Sequence, residues 1–272
     1  MVGGWHIRLL ELGRLRMGPE YPGPGGAFSN PVDVPVNALL LRTASDAVLI
    51  DTGAGLGDHF WPGAAGLERE LVRVRCDPAA ISRVIITHLD FDHSGGLVAG
   101  RWPDALAPAF PHARVAMLGD GLDWWRGRDP DAPFNVGTRV LSALEAWGRL
   151  DEVADGDEVA SGVRLVAAPG HRPGHACVLV GDQLVHLADV VHHPAHVAHP
   201  EWDPAFDADA ETALTTRVRW LASTAESGVR VVHAHVEGTG RIVRAGSGFA
   251  WTETGEENGD DSKEPVTSPA AE

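Results

Sequence analysis

The sequence predicts an α/β (α+β) fold built as two packed halves. Short apolar runs, bounded by Gly, Pro, Asn and Asp, recur along the chain with the composition of strands. Each half places its strands ahead of a stretch with helical character, and residues 1–250 keep this character before the sequence turns acidic and polar.

In chain order, "WHIRLLELG" (5–13), "NALLLRT" (37–43) and "AVLID" (47–51) read as the opening strands, joined through Gly- and Pro-rich connections. "LIDTGAGLG" ends a strand in an Asp and a Gly-rich turn. "DPAAISRVIITH" reads as a short helix feeding a strand, 84–87, that stops at His88. "ARVAML" (113–118) is another strand, and "LGDGLDWWRGR" a helix. In the second half, "GVRLVAAPGH" (162–171) is a strand running into a turn, and "ACVLVG" with "QLVHLAD" a strand pair. "VRVVHAH" (229–235) is the last strand. Between them, Leu214, Val218, Leu221 and Ala225 fall at i, i+4, i+7 and i+11, which predicts one buried helix face. Residues 251–272 carry no periodicity and are expected to form a disordered acidic tail.

The chain has 272 residues and a formal net charge of −16. The tail holds seven acidic residues against one Lys, a net of −6, which leaves −10 for the body. A body this acidic argues against nucleic acid or an anionic membrane as partner and leaves a small-molecule substrate as the expectation. Oligomeric state stays open, a homodimer included. Cys76 and Cys177 form no CxxC pair and read as small buried residues. The first residues lack a signal-peptide pattern and no stretch has the length of a membrane span, so the expected location is cytoplasmic.

The residues that carry chemistry follow the apolar strands. His88 follows "RVIIT", His171 "RLVAAPG", Asp189 "QLVHLA" and His235 "VRVVHA", as in a site gathered at one sheet edge from distant sequence. Within "ITHLDFDHSGG", alternate residues of an extended segment share a side, so His88, Asp90 and Asp92 are expected to point together. His93 then follows at the turn, and Gly95 and Gly96 would let backbone approach a metal and open a helix. "HHPAHVAH" (192–199) fits no standard zinc spacing and reads as a His-rich loop. No GxSxG is present, and "GSG" at 246–248 reads as a tight turn rather than a nucleophile.

Taken jointly, "THLDFDHSGG", "VLIDTGAG", "APGHRPGH", "LADVV" and "HAHVEGTGRI" resemble, in order, the motifs of the metallo-β-lactamase superfamily, whose signature is HxHxDH. The resemblance covers about residues 5 to 250. It implies a four-layer αββα sandwich with metals at one edge of the sheets. It also implies a first site of His88, Asp90 and His171 and a second of Asp92, His93 and His235, with Asp189 bridging both. His171 is taken over His175 as the first His of the PGH turn, and His235 over His233 because "HVEGTG" follows it. Asp51, His175 and His233 are expected behind the ligands. The departure is Asp90, where the family has His. Three carboxylates would face two divalent ions, most naturally Zn2+, with Mn2+ or Fe2+ admitted by the oxygen ligand at Asp90.

The implied activity is metal-dependent hydrolysis of an ester, lactone or related bond by a binuclear site, through a metal-bridging hydroxide. Asp92 would hand a proton to the leaving group. The pattern is most similar to the lactonase and esterase branch, where a Tyr three residues after the bridging Asp polarises the carbonyl. Here that position is His192, taken as a candidate for the same task, and the only Tyr is Tyr21. Trp61, Trp124 and Trp125 are candidates for an apolar substrate wall. The alternatives are a mononuclear iron enzyme resembling the sulfur dioxygenases and a non-catalytic binding protein of the same fold.

Overall fold

The computed structural model describes residues 4–18, 21, 23, 30–55, 66–101, 105–132, 135–202 and 206–254. The first half contains β1 (His6–Met17), β2 (Val32–Arg42), β3 (Ala47–Ile50), α1 (Leu67–Arg73), β4 (Arg83–Ile85), α2 (Phe91–Ser94), β5 (Val98–Arg101), β6 (Ala105–Pro108), β7 (Arg114–Leu118), α3 (Leu122–Arg126), α4 (Val136–Ala146) and β8 (Leu150–Val153). The second half contains β9 (Glu158–Ala160), β10 (Val163–Ala167), β11 (Ala176–Val180), β12 (Leu184–His186), α5 (Ala195–Ala198), α6 (Ala210–Ser227), β13 (Arg230–Val232), β14 (Gly240–Ala245) and β15 (Gly248–Glu253).

Two mixed sheets result, ordered β1-β2-β3-β4-β7-β8 and β15-β14-β13-β12-β11-β10-β9, with β5 and β6 forming a small ribbon. The period of two along each strand builds the layers. Leu39, Leu41, Val48, Ile50 and Ile85 of the first sheet face Val163, Leu165, Val178, Val180 and Val232 of the second. Their neighbours Leu40, Leu49, Val84 and Val115 turn the other way, against Leu71 of α1 and Val136, Val140 and Leu144 of α4. On the far side, Cys177, Val185 and Val231 pack with Leu221 of α6. Sheets apolar on both faces must be covered on both, and the outcome is the expected αββα order.

Several expectations shift. The segment before β4 is a 3₁₀ turn, Pro78–Ala80, with the Asp77 side chain accepting from the Ala79 amide, rather than a helix. β15 runs to Glu253, three residues past the expected boundary at 250, and residues 255–272 of the acidic tail lie outside the described residues. Among the described residues no helix is long and apolar enough to cross a membrane.

β3 and β4 run parallel, as do β12 and β13, so their C-terminal ends emerge together. Cross-links tie the two sheets at that edge. The Ala176 amide donates to the Thr87 carbonyl at 2.9 Å, and the Asn37 side chain donates to the carbonyls of His233 and Val236 at 3.1 and 2.8 Å.

Candidate metal centre

The site starts from a strained aspartate. Asp51 follows β3 with φ +60, a conformation that few residues other than Gly adopt, and its carboxylate is fully buried. Three groups satisfy it: the Thr87 amide at 2.9 Å, the Thr87 hydroxyl at 2.9 and 3.1 Å, and His93 Nδ1 at 2.8 Å. Asp51 therefore fixes both the end of β4 and the ring of His93.

After Asp90 the chain stops being extended. Asp90 stands in the N-cap position of α2, so Asp92 and His93 lie on a helical turn. Strand alternation thus carries only His88 and Asp90, and Asp92 reaches the same cluster from the helical turn instead. The glycine pair serves packing. A Cβ on Gly95 would sit 2.0 Å from the Ala54 carbonyl oxygen, and one on Gly96 2.2 Å from that of Thr52. These residues let the Asp51 loop lie on the signature loop rather than letting backbone reach a metal.

Around Asp189 the side chains divide into two halves. Its Oδ2 lies 3.6 Å from His88 Nε2, 3.3 Å from His171 Nε2 and 3.3 Å from His192 Nε2. Its Oδ1 lies 3.3 Å from His93 Nε2 and 3.4 Å from His235 Nε2. Asp90 Oδ2 closes the first half, 3.7 Å from His88 Nε2 and 3.5 Å from His171 Nε2. Asp92 Oδ2 closes the second, 3.4 Å from His235 Nε2 and 3.9 Å from His93 Nε2. Among the described residues, four triads bring their ligand atoms within 4.8 Å of one another: His88-Asp90-His171, Asp92-His93-His235, His88-His93-Asp189 and His171-Asp189-His192.

The orientation of the rings fits a divalent cation. His93, His171 and His235 each have Nδ1 held from behind, by Asp51, by Asp207 at 3.0 Å and by the Pro35 carbonyl at 2.8 Å. That turns each Nε2 inward, where the Nε2 atoms of His88, His93 and His171 and Oδ1 of Asp189 are buried without a hydrogen bond among the described residues. Buried polar atoms rarely stay unpartnered, and imidazoles backed at Nδ1 are the usual arrangement for metal ligands.

Without an ion, the charges of the cluster pull the protonation states apart. Burial, with the charge of His93, pushes His88 down to about 4. Burial works against a charged His171 as well, yet the Asp207 carboxylate bonded to its Nδ1 and the Asp90 carboxylate beside its Nε2 raise it to about 9. Burial also opposes the Asp189 carboxylate, but His93, His235 and His192 hold it well below the ordinary range. Asp92 is raised because burial, helped by the charges of Asp189 and Asp90, outweighs the lowering effect of the His93 and His235 imidazoles.

Residues 31–235 match the Metallo-beta-lactamase superfamily. The chain belongs to that family. A relative from Mycobacterium tuberculosis named "Probable metallo-hydrolase Rv2300c" is 32% identical, over 58% of this chain and 57% of its own length. The N-acyl homoserine lactonase AttM of Azorhizobium caulinodans is 27% identical, over 54% of this chain and 60% of its own. The chain thus spans under two thirds of the length of these curated relatives. Among solved structures, the dizinc quorum-quenching lactonase AidC superposes with a TM-score of 0.83 at 20% identity, covering 95% of this chain and 97% of that one. At that identity the likeness shows the metallo-beta-lactamase fold.

Of the residues expected behind the ligands, Asp51 and His175 lie there. His175 takes the Ala168 carbonyl on Nδ1 at 2.7 Å, and its Nε2 accepts the Asp189 amide at 3.2 Å. His233 does not orient a ligand: both its ring nitrogens are buried without a hydrogen bond, and the ring packs edge-on against Trp251. The 192–199 stretch is not wholly the expected His-rich loop, because α5 occupies part of it, and His192 and His196 are buried. Trp125 is buried and its Nε1 donates to the Pro173 carbonyl at 3.2 Å, so it braces the turn of His171. Trp124 is exposed beneath the Arg128 guanidinium. Trp61 lies outside the described residues.

Two groups are absent from the sequence expectations. Arg172 Nε donates to Asp90 Oδ1 at 2.9 Å, which leaves Oδ2 to face the histidines. Asp207 bridges His171 to Arg217, whose Nη2 donates to it at 2.8 Å. The only sequence signal for Arg172 was its place inside "PGHRPGH"; Asp207 carried none.

Proposed function

We propose that the chain is a metal-dependent hydrolase that holds two divalent ions, taken as Zn2+, and cleaves an ester, lactone or related bond in a small molecule. The observation that carries this reading is the division of Asp189, one carboxylate oxygen toward each half of a buried His/Asp cluster. His88, Asp90 and His171 would hold one ion, Asp92, His93 and His235 the other, with Asp189 shared. A mononuclear iron reading would leave the second triad without a task.

When bound, such a pair of ions supplies an activated water and a Lewis acid for the scissile carbonyl. The chain's own part is to orient and to carry protons. Asp51, Asp207 and the Pro35 carbonyl lock three imidazoles, and Asp92 takes the proton destined for the leaving group. Arg172 bears on the choice of metal. It offsets one of the three carboxylate charges at Asp90, so the first half is less anionic than Asp90 alone would make it, which favours zinc over manganese. The names of the relatives, a metallo-hydrolase and an N-acyl homoserine lactonase, and of the superposed quorum-quenching lactonase, support an ester or lactone substrate.

The test pairs metal analysis of protein purified without added metal with turnover of lactones, aryl esters, thioesters, phosphotriesters and a β-lactam. About two zinc ions per chain and turnover concentrated on lactones or esters is the expected result. One iron with oxygen uptake, or no ion even after incubation with zinc, would overturn the proposal.

A further inference from the structure

We infer that His192 is a ligand of the metal half-site that contains Asp90, and that it supplies the imidazole nitrogen which position 90 lacks. The inference rests on the two-metal reading above and deepens it. Compared with the family signature, the first half has exchanged one His for Asp90, which leaves it His88 and His171 as nitrogen donors. His192 returns a third. Its Nε2 stands 3.3 Å from Asp189 Oδ2, as close as that of His171 and closer than that of His88. Its ring centroid is 4.8 Å from that of His171, and its ring lies parallel to His235 at 6.0 Å.

Two neighbouring histidines show what separates a ligand from a bystander. His175 also abuts Asp189, but both its nitrogens are used in hydrogen bonds to backbone. His233 has two unpartnered nitrogens like His192, but it belongs to none of the triads that gather ligand atoms. His192 has both properties: its nitrogens make no hydrogen bond among the described residues, its side chain is 4% exposed, and one nitrogen is aimed at the oxygen that the first half shares. Leaving a buried imidazole so placed would be costly unless something binds it.

The backbone around it is held. The Tyr21 hydroxyl donates to the His192 carbonyl at 2.8 Å, the His192 amide faces His196 Nδ1 at 3.4 Å, and buried Arg217 donates to the Val190 carbonyl at 2.8 Å. The ring therefore projects from a fixed stretch. This differs from the carbonyl-polarising role expected from the sequence, because the nitrogen points at a carboxylate that faces the ions.

The test uses the full chain loaded with Co2+, with His192→Ala, His192→Gln and, as a buried control, His233→Ala. Removing His192 is expected to weaken one of the two ions by more than about 100-fold, beyond the range that losing an orienting partner costs. It is also expected to change the cobalt d–d absorption, while His233→Ala leaves both unchanged. Because an alanine there can fail to fold, the wild-type cobalt protein gives an independent reading. Its paramagnetically shifted imidazole signals are expected to include His192 together with His88, His93, His171 and His235. Two ions bound with wild-type affinity and spectrum in His192→Ala, or a shifted set without His192, would overturn the inference and leave the hydrolase reading standing. Wild-type protein that takes up fewer than two ions would instead bring down the two-metal reading on which it rests.

Discussion

Asp90 matters at the scale of one residue because its two oxygens do different things. Oδ1 is tied to Arg172 and Oδ2 looks at His88 and His171, so the guanidinium decides which lone pairs remain for an ion. Those neighbours, the two imidazoles and then Arg172, hold the carboxyl well below its ordinary range in spite of burial. Restoring the family residue with Asp90→His therefore leaves Arg172 facing a neutral ring. The expected result is retention of both ions with a loss of about 1 kcal/mol in the stability of chelated protein, a charge-assisted hydrogen bond discounted for its partial exposure. Adding Arg172→Gln is expected to recover part of that loss. Denaturant unfolding of the two variants checks it, and additive losses would show that the pair is not coupled. The signature motif made His88, Asp92 and His93 legible in the sequence, whereas Arg172 acquires its task only through a contact 82 positions away.

At the scale of elements, the apolar runs of β2, β3, β4 and β11 were legible because both faces of each sheet are buried. The face of α6 was not. Of its expected stripe Leu221 is buried, yet Val218 is 41% exposed, and beside Leu221 the helix buries Ala213, Thr216, Arg217 and Thr224. The reason is Arg217. Counting apolar residues assigns an arginine to solvent, but this one donates to the carbonyls of Val190, Pro200 and Trp202 and to Asp207, and these partners turn the helix. α4 was also missed, and it touches the site: a Cβ on Gly137 would lie 1.9 Å from the Leu89 carbonyl oxygen. Arg217→Met is expected to cost about 3–5 kcal/mol, because it leaves the Asp207 carboxylate buried with His171 as its remaining charged partner. Pairing it with Asp207→Asn separates the causes. If the double variant is as unstable as Arg217→Met alone, the unpaired carboxylate is not the source of the loss.

For the whole molecule, the site concentrates so many buried ionisable groups that fold stability is tied to pH and to metal. In chelated protein, burial holds His88, His186 and His192 at about 4 and His233 at about 3, against 6.5 for an exposed imidazole. As pH falls below 6.5, the unfolded chain takes up protons that these folded rings refuse. Each ring then subtracts up to about 1.4 kcal/mol per pH unit until the folded value is reached. His171, raised to about 9, works in the opposite sense: its stabilisation is complete below 6.5 and is lost as pH rises through 9. His175 and His193 are lowered as well, and His93 and His235 raised like His171, so six lowered rings against three raised ones predict a chelated protein that loses stability between pH 6.5 and about 4. Ions that bind only the folded cluster add to stability, about 2.7 kcal/mol for each at a hundred times its dissociation constant. For a chain of this size that is roughly 5–10 °C in Tm per ion near neutral pH. Because the ions need unprotonated imidazoles, their advantage must shrink over the same acidic window. Calorimetry of loaded and chelated protein from pH 8 to pH 4 is thus expected to give two Tm curves, well separated at pH 8, that fall and converge in acid. Curves that coincide at pH 8 would mean that no ion stabilises the folded cluster, and parallel curves down to pH 4 would mean that its histidines do not hold the ions.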